Sequence, residues 1–212
     1  MADIAMRDEG LDLTSLSAAL SAYRVRIGAR RVSPGDEAAF DDPGSVETAA
    51  NLPRRRASGA ARIVARRLLG ELGADASAPL RRSPSGAPIW PEGVVGSLAH
   101  DEEFAIAAVA LRIHVARLGV DIEPAEPLPS DLVDRVLRAE EKRRMKDDRV
   151  MSRLIFSSKE AVYKALNALD GSPLEYDDIE IRLAEATAVL RDGRSLRLMA
   201  QRGERLVAVA FA

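Results

Sequence analysis

The sequence predicts an α/β fold in two halves that meet near residues 112–117. Three observations carry this expectation. Two long stretches, LPRRRASGAARIVARRLLGELG from Leu52 and LIFSSKEAVYKAL from Leu154, repeat apolar residues at helical spacing. Short alternating stretches flank each of them, with Pro, Gly and Ser clusters between. With 212 residues the chain can form one large domain or two small ones around a genuine core.

Taken in order, residues 1–22 are rich in Ala and Ser and carry acids, which suggests a frayed end. AYRVRIGARRV (22–32) then alternates as a strand does, and PGDEAAFDDPG (34–44) reads as a loop. The arginine-rich helix from Leu52 is preceded by Leu-Pro and punctuated at its end by Gly70 and Gly73. A long Pro, Gly and Ser loop over 74–93 is ended by VVGSLAH, followed by the strand FAIAAVAL (104–111). RIHVAR is expected to turn a hairpin from that strand into LGVDIE (118–123). After a proline-rich loop, DLVDRVLRAEEKRRMK (131–146) reads as one helix that Ser130 would cap. The second long helix follows, and three stretches between Asp170 and Phe211 close the chain as short strands joined by Asp-Gly and Arg-Gly turns.

Composition excludes several classes. Lys and Arg number 31 against 33 acids, so no overall field favours nucleic acid or membrane, and a phosphate site must be a local cluster. Without cysteine there is no disulfide, thiolate zinc site or cysteine nucleophile, and only His100 and His114 supply imidazoles. The N-terminal MADIAMRDEGLDL carries acids where a signal peptide needs a basic start, and no stretch reaches the length of a membrane span. The expectation is a soluble cytoplasmic protein.

Four groups of residues could carry chemistry. On a strand, Asp121 and Glu123 project from one face; such a pair suits a divalent cation, and equally suits the solvent face of a half-buried strand. On the second helix, at roughly 100° per residue, Phe156, Glu160, Tyr163 and Lys164 share a face opposite Ile155, Val162, Leu166 and Leu169. A surface Glu and Lys four apart contribute only about 0.2–0.5 kcal/mol, so stability is a weak reason for the pair. Arg55, Arg62 and Arg66 fall within roughly 20° of one line on the first helix. That line suits either bidentate phosphate contacts or a solubilising face. His100 ends a Gly-Ser stretch, Trp90 lies beside Pro91 in a loop it would pack, and His114 receives no role.

Together these segments resemble the 4'-phosphopantetheinyl transferases of the Sfp type, especially their siderophore-synthase branch. GVDIE (119–123) fits the family's G-[VI]-D-x-E signature and FSSKEAVYK (156–164) fits [FW]-S-x-K-E-x-x-x-K. GAPIWPEGVVGSLAH fits the run from a Gly-x-Pro loop to a Ser-x-[ST]-His turn, and RIVAR fits the arginine helix. The resemblance runs in order from Leu52 to about Ile181. It implies a pseudo-dimer of two similar α/β halves, 1–114 and 115–212, with the active site in the cleft between them. It also implies holo-[acyl-carrier-protein] synthase activity. In that reaction the phosphopantetheine arm of coenzyme A moves to a serine of an apo acyl or peptidyl carrier protein, and 3',5'-ADP is released.

In the same reading Asp121, Glu123 and Glu160 match the family's metal-binding acids, and Glu160 also matches its base. Lys164 matches the lysine at the reacting phosphate, with Lys159 a second contact. Arg54 or Arg55, Arg62 and His100 match residues that hold coenzyme A phosphates. Oxygen ligands without Cys or His suit Mg2+, with Mn2+ an alternative, over zinc. Expected partners are coenzyme A and the carrier, with neither nucleic acid nor membrane, and the expected state is a monomer. Ala99 stands where the family usually has Ser or Thr, Ala57, Ser58 and Gly59 replace an acidic and aromatic pair, and Ala87 offers no lysine. A different Mg2+-dependent phosphoryl or diphosphate hydrolase, and an inactive carrier- or coenzyme-binding module, remain as rivals.

Overall fold

The computed structural model describes residues 11–40, 51–84, 86–170 and 174–212. The first half runs α1 (Thr14–Ser21), β1 (Arg26–Arg31), α2 (Leu52–Glu71), β2 (Val94–His100) and β3 (Phe104–Leu111). The second runs β4 (Leu118–Pro124), α3 (Ser130–Val136), α4 (Ala139–Met145), α5 (Val150–Asp170), β5 (Ile179–Arg182), β6 (Thr187–Leu190), β7 (Ser195–Arg202) and β8 (Arg205–Phe211). Two antiparallel sheets result, ordered β1-β3-β2 and β4-β8-β7-β6-β5.

One plan serves both halves: a strand, a long helix, then a hairpin whose second strand pairs with the first strand. β1 pairs β3 and β2 pairs β3, just as β4 pairs β8 and β7 pairs β8. The α/β pseudo-dimer expected from the sequence is therefore visible in the pairing itself.

Burial explains the layering. β3 is buried along almost its whole length, as its run FAIAAVAL requires of a central strand. The sheets face each other through one core in which Ile27, Val95 and Ile106 meet Val120, Ile122 and Val209. On its outer face the first sheet takes α2 through Val64, Leu68 and Leu69 against Val94, Ala107 and Val109. On the outer face of the second, Ala161, Val162 and Leu166 of α5 pack on Leu198, Ala208 and Ala210. The order is helix, sheet, sheet, helix.

Because side chains alternate along β4, Val120 and Ile122 enter the inter-sheet core while Gly119 and Asp121 turn toward α5. At Gly119 a side-chain carbon would lie 1.9 Å from the Ala161 carbonyl oxygen. Only glycine admits the helix backbone so close to the strand. Gly119→Ala is expected to destabilise the protein by about 1–3 kcal/mol through overpacking and to reduce activity by pushing α5 from β4. Urea unfolding reads the first effect, and an unchanged midpoint would contradict it.

The structure corrects four expectations. VVGSLAH forms strand β2 rather than the end of a loop, and its hairpin partner is β3. β3 and β4 are not a hairpin, since β4 pairs β8 in the other sheet, so RIHVAR crosses between sheets. The single helix over 131–146 is broken at Leu137, whose backbone is extended, and Pro129, not Ser130, stands at the cap of α3. There Lys159 takes the Val136 carbonyl at 2.7 Å while the Arg138 N–H donates to Glu141 at 2.8 Å, so side chains replace the bonds a continuous helix would make. Last, Leu11, Leu13, Leu16 and Leu20 are buried in the core, so this part of the N-terminal stretch is not frayed. Residues 1–10, positions 41–44 of the first loop and the Leu169 side chain lie outside the described residues.

Candidate active site

Close approach of β4 and α5 builds the centre of the site. Lys164 Nζ lies 2.6 Å from Asp121 Oδ1 and donates to the Val120 carbonyl at 3.2 Å. Two of its three N–H donors are thus held, and its side chain keeps 29% exposure. Asp121 is 5% exposed, and its second oxygen, Oδ2, is buried with no hydrogen-bond partner. A carboxylate oxygen in that state is costly unless a cation reaches it.

Glu123 is paired with Arg153 of α5, Nη1 to Oε2 at 2.9 Å. Burial, then the neighbouring Asp121 charge, push its carboxyl above the ordinary range. Glu160 Oε1 accepts from the Tyr176 hydroxyl at 2.6 Å. Asp121 is near enough for its charge to act on both Glu123 and Tyr176. The three carboxylates therefore share one neighbourhood, each with its own partner. Among the described residues no three His, Asp or Glu side chains converge as a ready ligand set, so the expected metal triad is not assembled. The donors that fit a hard divalent cation are Asp121, through Oδ2, and its neighbour Glu123.

His100 faces this group from the end of β2. Burial first, then the charges of Lys164, Arg82 and Arg54, hold its imidazole down to about 4. Those cations come from α5, the loop after α2, and the start of α2 respectively. The cluster thus draws on both halves. In the folded protein His100 stays neutral until about pH 4, whereas an unfolded chain protonates it near 6.5. The unfolded state then binds more protons between these values, so stability falls as pH drops from 6.5 toward 4. A loss on the order of 2 kcal/mol is expected between pH 7 and 4.5, after allowance for partial exposure. Urea titrations should show it shrinking in His100→Gln, and an equal loss in that variant would contradict the assignment.

The arginine ribbon divides. Arg54 is exposed at the seam. Arg55, Arg62 and Arg82 stack around the Phe40 ring at 4.9, 5.0 and 5.5 Å. Arg62 is 1% exposed, donating from Nε to the Leu80 carbonyl and from Nη1 to Ser58, so it ties α2 to the loop and is not placed to meet a phosphate. Lys159 is corrected in the same way. It is 0% exposed, and its ammonium reaches Val136 O, Tyr176 O and Glu141 Oε2 at 2.7, 3.0 and 2.8 Å, which uses all three donors.

Sequence reasoning missed Arg82, Arg153 and Tyr176. Arg153 had a signal, since it precedes Glu160 by seven residues on the same helix face. Arg82 lies in an irregular loop and Tyr176 in a single 3-10 turn, both too short for spacing to carry information.

The fold thus sets cations of the first half beside the Lys164–Asp121 pair of the second. Residues 44–110 match the family model of the 4'-phosphopantetheinyl transferase N-terminal domain, and residues 117–209 match that of the 4'-phosphopantetheinyl transferase superfamily. The chain belongs to this superfamily. It is similar to 4'-phosphopantetheinyl transferase Svp of Streptomyces mobaraensis, 40% identical over 57% of this chain and 51% of the relative. It is also similar to 4'-phosphopantetheinyl transferase Npt of Nocardia iowensis, 40% identical over 60% of this chain and 59% of the relative. A third relative is PptT of Mycobacterium tuberculosis, 36% identical over 57% of this chain and 54% of the relative. The matches thus span between half and three fifths of these relatives' own lengths.

Proposed function

We propose that the chain transfers the 4'-phosphopantetheinyl group from coenzyme A to a serine of an apo acyl or peptidyl carrier protein. The observation that carries this reading is the meeting of Arg54, Arg82 and His100 of the first half with Lys164 and Asp121 of the second. Coenzyme A bears a diphosphate and a 3'-phosphate, and such a bridge of cations suits both. The first half, 1–114, would hold these phosphates, and the second, 115–212, would supply the reacting groups.

The serine oxygen attacks the phosphorus beside the pantetheine arm, forming a new P–O bond. The P–O bond to the leaving 3',5'-ADP breaks, and the serine proton passes to Glu160. Lys164, fixed on Val120 and Asp121, keeps its third N–H for a phosphoryl oxygen and neutralises charge that grows there. Asp121 and Glu123 are the residues that would hold Mg2+, or Mn2+ in its place. When bound, the ion supplies neutralisation of the diphosphate. Both halves of the cleft lie in one chain, which supports a monomer. Among the described residues no helix is long and apolar enough to cross a membrane.

Chromatography of coenzyme A incubated with the protein and Mg2+ tests the reading. 3',5'-ADP is expected only when an apo carrier is added. Release without a carrier would mean a hydrolase, and intact coenzyme A under every condition would mean a binding module.

A further inference from the structure

Consecutive residues of α5 grip the two ends of one tyrosine. Lys159 donates to the main-chain carbonyl of Tyr176 at 3.0 Å, and Glu160 accepts from its hydroxyl at 2.6 Å. Lys159 is itself fixed by the buried Glu141, whose other oxygen accepts from the Ile181 N–H at 2.8 Å. The Tyr176 ring stands 6.0 Å from that of Phe156. It starts the 3-10 turn Tyr176–Asp178, which is closed by a bond from the Glu175 N–H to Asp178. The tyrosine is therefore anchored at its backbone, ring and hydroxyl, whereas a glutamate has three rotatable side-chain bonds and no fixed aim of its own.

A base acts only when an oxygen is within reach of the proton it takes. We propose that Tyr176 is a positioning residue for the transfer: its hydroxyl holds Glu160 Oε1 and leaves Oε2 as the oxygen that receives the serine proton. This rests on the reading of Glu160 as the base. The order Lys-Glu in α5 then has a single explanation, because the lysine sets the tyrosine and the tyrosine sets the glutamate. A cavity of about 170 Å3 lined by Glu160, Tyr163, Leu174 and Tyr176 opens at this point and gives an acceptor room to approach.

Tyr176→Phe removes the hydroxyl alone and keeps the ring and the carbonyl that Lys159 holds. With coenzyme A, Mg2+ and an apo carrier, kcat is expected to fall about 10- to 100-fold, with KM for coenzyme A within about 2-fold. Coenzyme A affinity by calorimetry without a divalent ion should not change, and the melting temperature should fall by no more than a few degrees. In a Glu160→Gln background, followed by long incubations, Tyr176→Phe should cost nothing further. Full kcat in Tyr176→Phe overturns the inference, as does a raised KM or a lowered melting temperature in place of the kcat loss. So does an equal loss in the Glu160→Gln background, or unchanged turnover in Glu160→Gln alone. Wild-type protein that transfers nothing overturns the proposed function and this inference with it.

Discussion

Glu160→Gln is expected to lower kcat for carrier modification by about 10²- to 10⁴-fold, the range that a positioned general base contributes. The substitution is nearly isosteric. Its amide oxygen can still accept from the Tyr176 hydroxyl, which holds Glu160 Oε1 at 2.6 Å in the native protein. Fold and coenzyme A binding should therefore survive, and only the capacity to take a proton is lost. Steady-state kinetics separate the two, with kcat reduced and KM for coenzyme A unchanged. A KM effect without a kcat effect would make Glu160 a binding residue and not the base.

The second large effect concerns stability. Lys159→Met is expected to cost about 3–5 kcal/mol, because it leaves the Glu141 carboxylate buried without its cation. Glu141 is 1% exposed, and its remaining partners are the main-chain N–H groups of Arg138 and Ile181. The carbonyls of Val136 and Tyr176 lose a donor as well. For a chain of 212 residues this corresponds to a fall in Tm of roughly 10 °C. Urea unfolding measures it directly. Adding Glu141→Leu should recover part of the loss, since removing both charges together is much less costly than removing one. A phosphate-binding lysine would behave differently, weakening coenzyme A binding while leaving the urea midpoint in place.

Legibility in the sequence followed the range of the interactions involved. α2 and α5 were readable because helix periodicity is local: Ile155, Val162 and Leu166 are buried on one side, and Lys164 remains partly exposed on the other. The alternation in GVDIE placed Asp121 and Glu123 on one face of β4, as the structure has them. Sheet partners were not readable, because adjacency in the chain suggested a hairpin between β3 and β4, while the partner of β4 is β8, over 80 residues away. The same limit hid the function of Lys159. Spacing alone places it beside Glu160 on α5, but only the tertiary fold brings up the carbonyls of Val136 and Tyr176 and the acid of Glu141. Arg82 was obscured for a related reason, since a Pro, Gly and Ser loop has no period from which to infer what its side chains meet.

What the sequence resemblance implied as a three-acid metal set is, in the fold, a more divided arrangement. Asp121 Oδ2 is buried without a partner, Glu123 is shared with Arg153, and Glu160 accepts from Tyr176. In the proposed reading the ion would belong to the strand and the proton to the helix. Gly119, by admitting α5 to within backbone contact of β4, brings the two together.

The most direct measurement is the mass of an apo carrier protein after incubation with coenzyme A, Mg2+ and the purified chain. The account predicts a gain of one phosphopantetheinyl group located on a carrier serine, abolished by Asp121→Ala. Carriers that keep their starting mass, while their own cognate transferase modifies them under the same conditions, would contradict it.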